Sequence, residues 1–106
     1  MKKLLPVILL LISGATFAAE TEYKIVLKDH RFEPATTTVP AGVKVKLLVE
    51  NKDATPDEFN SDALGVEKVL SGNSQAVILV GPLKPGKHTF MGEFHAATAQ
   101  GAIIAK

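Results

Sequence analysis

Val43-Lys44-Val45-Lys46-Leu47-Leu48-Val49 carries valine or leucine at every second position, and Asn51-Lys52-Asp53 then breaks the pattern. A period of two marks a strand with one face buried, so this segment is the clearest strand of the chain. Upstream, Tyr23, Ile25 and Leu27 alternate with Glu22, Lys24 and Lys28 and give a first strand. Between the two lie Pro34, three consecutive threonines and Val39-Pro40-Ala41-Gly42. Proline donates no hydrogen bond, so these residues suit an edge strand and a turn.

Downstream the signal weakens from Ala54 to Ser74, where Phe59 and Val66 to Leu70 suggest short strands around a turn or single helical turn at Asp62 to Gly65. Gln75 to Val80 is an apolar strand closed by Gly81-Pro82, and Lys84-Pro85-Gly86 turns the chain into a strand from Lys87 to Phe90. A loop follows, and Ala102 to Ala105 closes the chain as a last short strand. About seven or eight strands separated by Gly/Pro turns, with no long amphipathic helix, predict an all-β sandwich.

Residues 1–18 read as a signal peptide rather than part of the fold. Lys2 and Lys3 precede an apolar run from Leu4 to Ile12 and then small residues, the layout of a secretory leader. The run is shorter than the roughly 20 apolar residues a spanning helix needs. Cleavage is expected after Ala18 or after Ala19, leaving one domain over residues 19–106 that is exported and not inserted in a membrane. Without Lys2 and Lys3 the basic residues fall from 12 to 10 against 11 acidic ones, taking the formal charge from +1 to about −1. No basic stripe points to nucleic acid. With no cysteine in the chain, disulfides and thiolate chemistry are excluded, and packing or a metal must hold the small domain.

Two segments carry side chains able to do chemistry. Thr55-Pro56-Asp57-Glu58-Phe59 delivers adjacent carboxylates after the strong strand, although acidic surface turns are common for solubility alone. Phe90-Met91-Gly92-Glu93-Phe94-His95 brings a thioether, a carboxylate and an imidazole together just past a strand. Imidazole suits copper, iron or zinc, carboxylate the harder ions, and thioether cuprous copper. Met91 is equally compatible with filling the core. The loop Ala96 to Gly101 is built of small residues, and Gly101 is expected to supply a positive φ. Of the other histidines, His88 shares a face with Phe90 and is expected to be half-buried. His30, at the end of the first strand, is expected to be exposed or bonded to loop backbone, outside the site.

Phe32-Glu33-Pro34, Val39-Pro40-Ala41-Gly42, the strand ending at Asn51, Gly81 to Gly86 and the aromatic strand before the histidine loop occur in an order that resembles the cupredoxins. Glu58-Phe59 and Gly92-Glu93-Phe94-His95 are similar to segments of the periplasmic cupredoxin-like proteins of bacterial iron permease systems. The resemblance implies a Greek-key β-sandwich of cupredoxin type with a metal at one end. It places a cupredoxin cysteine at Gly92, the second histidine at His95, the upstream histidine at Asp57 or Glu58, and the axial ligand at Ala99 or Gln100.

A blue-copper centre needs two histidines, a cysteine and a weak axial ligand, which this pattern does not supply. The metal ligands implied instead are Glu58, Glu93, His95 and Met91, with Asp57 and Gln100 as alternates. By strand alternation Asp57 and Glu58 point to opposite sides, and the resemblance favours Glu58 as the carboxylate that meets His95. The cofactor is then an iron and/or copper ion. The resemblance implies a role in iron uptake in partnership with an inner-membrane iron permease and other periplasmic uptake components, and leaves open whether the protein assists ferrous-iron oxidation, a ferroxidase-type activity, or only binds metal. A periplasmic copper-binding or copper-delivery protein without turnover is the alternative.

Overall fold

The computed structural model describes residues 21–106; the leader expected at 1–18 and both cleavage points lie outside the described residues. Nine strands run Glu22–Lys28 (β1), Arg31–Glu33 (β2), Thr36–Val39 (β3), Val45–Asn51 (β4), Asp57–Ser61 (β5), Val66–Leu70 (β6), Ser74–Val80 (β7), Gly86–Gly92 (β8) and Gln100–Ala105 (β9). Among the described residues a 3₁₀ turn covers Glu93–His95. The strands form two sheets, ordered β2-β1-β4-β7 and β3-β9-β8-β5-β6, which makes the all-β sandwich predicted from the Gly/Pro spacing.

Alternation decides which face each strand buries. In β4, Val45, Leu47, Val49 and Asn51 are buried while Lys46, Leu48 and Glu50 face outward. β1 lies parallel to β4, with Ile25 opposite Val49, and Lys24 reaches Glu50 at 3.1 Å on the outer face. The second sheet faces this one with Phe59, Leu70, Phe90 and Ile103. Phe32, from the first sheet, meets Phe90 edge to face at 5.0 Å, and Phe59 stacks on Phe90 at 4.6 Å. These three rings anchor the core between the sheets. Burying each ring fully is worth about 1.5–3 kcal/mol by its apolar area.

The region expected to be weak, Ala54 to Ser74, is a well-formed hairpin. β5 pairs antiparallel with β6 from Asp57↔Leu70 to Ser61↔Val66, and β5 also pairs with β8 through Phe59↔Gly92. The turn between β5 and β6 is closed by Gly65 N–H donating to the Asp62 carbonyl at 3.2 Å and Leu64 N–H to the Ser61 hydroxyl at 2.9 Å. Its apolar alternation is hidden because Asp57 and Ser61 are buried polar residues.

Three expectations change. Val43 stands outside β4 and is 48% exposed, because the chain is still turning at Ala41-Gly42, where Gly42 has φ +80. β9 starts at Gln100, two residues before Ala102. Gly101 therefore lies in a strand without positive φ. Its missing side chain makes room for the Phe90 ring, which a Cβ at 101 would strike.

Candidate metal centre

The end of the sandwich where β5 begins and β8 finishes holds a buried carboxylate. Asp57 lies on the inner side of β5 with Phe59, and its side chain is 1% exposed. Its Oδ1 accepts the backbone N–H of Glu58 at 2.7 Å and of Phe94 at 2.9 Å. Its Oδ2 lies 2.9 Å from Nδ1 of His95. A carboxylate only accepts, so Nδ1 of His95 carries the hydrogen and Nε2 is left as the basic ring nitrogen. The imidazole is 28% exposed. This is the arrangement by which a carboxylate fixes the tautomer and orientation of a metal-binding histidine.

The loop behind His95 is held by its own backbone. The N–H groups of Thr98 and Ala99 both donate to the His95 carbonyl, at 3.1 and 2.9 Å, and Gly92 N–H donates to the Ala99 carbonyl at 2.8 Å. Small residues allow this tight fold, as the sequence suggested. Gly92, where the resemblance places a cysteine, has no room for one. A Cβ there would lie 2.6 Å from Asp57 Oδ2 and 2.8 Å from the Ala99 Cβ. The carboxylate of Asp57 fills the thiolate's space, so the residues present do not fit a blue-copper ion. The donor left at this end is the imidazole of His95, a ligand type that suits copper, iron or zinc.

The expected ligands separate into two groups. Glu58 is the outward neighbour of Asp57, and its carboxylate accepts from Asn60 Nδ2 at 3.4 Å. Asp57, the alternate, is the carboxylate that meets His95. Met91 also faces outward, 38% exposed, opposite Asn60 and Gln100, so it does not fill the core. Glu93 opens the 3₁₀ turn and is exposed. At the axial position Ala99 is fully buried, and Gln100 donates through Nε2 to the Ala96 carbonyl at 2.9 Å. Met91 and Gln100 line an outer-face groove of about 700 Å³ whose lining includes neither His30 nor His95. Among the described residues no three histidine, aspartate or glutamate side chains are gathered at metal-holding distance.

His30, placed outside the site by the sequence reading, stacks on His95. The ring centroids are 3.7 Å apart and the planes differ by 10°. His30 occupies the turn between β1 and β2, with Asp29 and His30 both at positive φ, 53 and 57. Asp53 braces that turn, its Oδ1 accepting Asp29 N–H at 2.7 Å and its Oδ2 His30 N–H at 3.0 Å, while His30 Nδ1 lies 3.4 Å from Oδ2. Burial pushes the Asp53 carboxyl up, but the N–H groups of His30 and Asp29 and the charges of His30 and Lys28 outweigh it and hold it below the ordinary 3.8. Asp53 is placed in turn by the fully buried Asn51, whose Oδ1 accepts Asp53 N–H at 2.9 Å and whose Nδ2 donates to the Thr55 and Ser71 carbonyls. The sequence held one signal for this, two polar residues that tolerate positive φ between Leu27 and Phe32. His88, at the other end of β8, is half-buried as expected, with Nε2 2.8 Å from the Lys84 carbonyl.

The chain is thus a two-sheet sandwich with an acid-backed histidine loop at one end. The family model described as cupredoxin-like domain matches residues 3–105, and the chain belongs to that family. It is 45% identical over 83 residues to the uncharacterized protein RP394 of Rickettsia prowazekii (strain Madrid E), a match covering 78% of this chain and 66% of that protein. The chain thus spans just under two thirds of that relative's length. Among solved structures, the fold is similar to the metal-binding domain of the Cu(I)-exporting P-type ATPase CopA of Streptococcus pneumoniae D39, solved with Cu(I), at TM-score 0.69 and 15% identity over 80% of this chain and 84% of that one. It is also similar to auracyanin A, a blue copper protein of Chloroflexus aurantiacus, at TM-score 0.65 and 14% identity over 83% of this chain and 100% of that one. These likenesses establish the cupredoxin fold. Among the described residues no helix is long and apolar enough to cross a membrane.

Proposed function

We propose that this protein is an exported, periplasmic metal-binding cupredoxin that holds iron or copper through Nε2 of His95 and serves an iron-uptake route ending at an inner-membrane permease. The observation that carries the metal reading is the 2.9 Å contact between His95 Nδ1 and the buried Asp57, which leaves Nε2 as the ring nitrogen with a lone pair. Iron uptake follows from the resemblance of Glu58-Phe59 and Gly92 to His95 to the iron permease-associated proteins. Negative charge from Asp57 beside the imidazole favours the ferric state over the ferrous one. In oxidation, a ferrous ion gives one electron to an acceptor supplied by a partner or a second metal.

The test is titration of the metal-free protein with ferrous iron under air, where dioxygen is the final acceptor. The protein should oxidise iron faster than a variant carrying both His95→Ala and Glu58→Ala. Identical curves would end the ferroxidase part of the proposal.

Copper binding or delivery without turnover is favoured by the copper named for both similar structures. On this second reading Met91→Leu abolishes cuprous binding while Glu58→Ala does not.

A further inference from the structure

His30 is held in an unfavourable place. The β1–β2 hairpin closes with only Asp29 and His30 between the paired Lys28 and Arg31, and both residues have positive φ. Two-residue turns of this kind prefer Asn-Gly or Asp-Gly, because a Cβ disfavours that backbone region. Glycine at position 30 would close the hairpin with less strain. Non-glycine residues held in such conformations gather at functional sites, and here the strain sets an imidazole face to face with His95.

The two imidazoles are also built alike. His95 turns Nδ1 to Asp57, 2.9 Å away, and His30 turns Nδ1 to Asp53, 3.4 Å away. Nδ1 of His30 is buried and makes no well-aligned hydrogen bond, so Asp53 orients that ring more loosely than Asp57 orients its partner. Each ring keeps Nε2 as the nitrogen directed away from its carboxylate, and both side chains remain open to solvent, 42% for His30 and 28% for His95. Two unconnected segments thus produce the same carboxylate-imidazole unit, side by side, at one end of the sandwich.

The ring centroids lie 3.7 Å apart, so two imidazoles from separate segments stand close enough to serve one ion, which sits about 2.0–2.1 Å from each donor nitrogen. The planes are parallel, so the lone pairs run side by side. To meet on one ion the rings must swing out of the stack until their lone pairs converge, and the looser hold on His30 leaves that ring able to turn. We propose that His30 and His95 are paired imidazole ligands of a single metal ion, with Asp53 and Asp57 as positioning residues. This rests on the reading that His95 binds metal and adds a ligand which the iron permease resemblance does not supply.

The experiment uses cupric ion as the probe, because it binds nitrogen and oxygen donors tightly and its pulsed electron paramagnetic resonance counts coordinated imidazoles. One equivalent is added to the protein and to His30→Gly, His95→Ala and His88→Gln. His30→Gly suits the turn and should fold, which its metal-free melting temperature verifies. Two imidazoles are expected in the wild type and in His88→Gln, and one in each of the other two variants, with affinity lowered about tenfold or more, the scale of metal-site losses. One imidazole in the wild type, together with an unchanged dissociation constant in His30→Gly, would overturn the pairing and leave His95 as a lone ligand. Failure of the wild type to bind cupric ion would overturn the pairing and the metal reading together.

Discussion

Asp57 does two jobs with one carboxylate, satisfying the N–H groups of Glu58 on β5 and Phe94 in the 3₁₀ turn and fixing the ring of His95. Removing its charge while keeping its shape separates them. Asp57→Asn is expected to lower stability by about 1–3 kcal/mol, since buried N–H and imidazole donors lose a charged acceptor. It should weaken metal binding about 10–100-fold. Urea denaturation and metal titration check the two numbers. Asp53 has a pH signature instead. Its carboxyl lies below 3.8 in the fold, so its contribution to stability is complete above pH 3.8 and is lost as pH falls further through the folded-state value. The melting-temperature gap between wild type and Asp53→Asn should therefore close on acidification below pH 3.8 and stay constant above about pH 5. A gap that widens in acid would contradict this role.

At the level of elements, β5 shows why the site was half legible. The sequence predicts that Asp57 and Glu58 point to opposite sides and that Phe59 faces the core. Both hold, and together they require Asp57 to be the inward carboxylate. Reading the metal ligand from the family motif instead favoured Glu58, one residue and one sheet face away. His30 was harder to find, because its contact with His95 joins the first hairpin to the last loop, and no local pattern encodes a contact across 65 positions. The Asn51-Asp53 segment looked like an ordinary break after a strand, yet its side chains brace the His30 turn. β8 offers a direct test of the filled thiolate position. Gly92→Cys should cost about 1–3 kcal/mol through overpacking against Asp57 and should not yield a blue-copper spectrum with cupric ion. Visible absorption of the blue type from that variant would show that the carboxylate yields its place.

Across the whole molecule, the alternating strands and Gly/Pro turns revealed the sandwich because burial of one sheet face leaves a period of two in the sequence. The nine-strand count was missed where buried polar residues, Asp57 and Ser61, interrupt that period. With no disulfide among the described residues and a small core, bound metal should contribute visibly to stability. At one hundred times the dissociation constant, binding adds about 2.7 kcal/mol, or roughly 10–20 °C in the melting temperature of a domain this size. Calorimetry with and without metal checks this, and an unmoved transition would favour a sandwich that serves only for docking. The most direct test of a metal centre at His95 is nitrogen-15 spectroscopy of the three imidazoles during anaerobic addition of ferrous iron. The account predicts that His95 broadens at the first increments while His88, bonded to Lys84 at the far end of β8, stays sharp. Equal broadening of all three rings, or an unchanged His95, would contradict it.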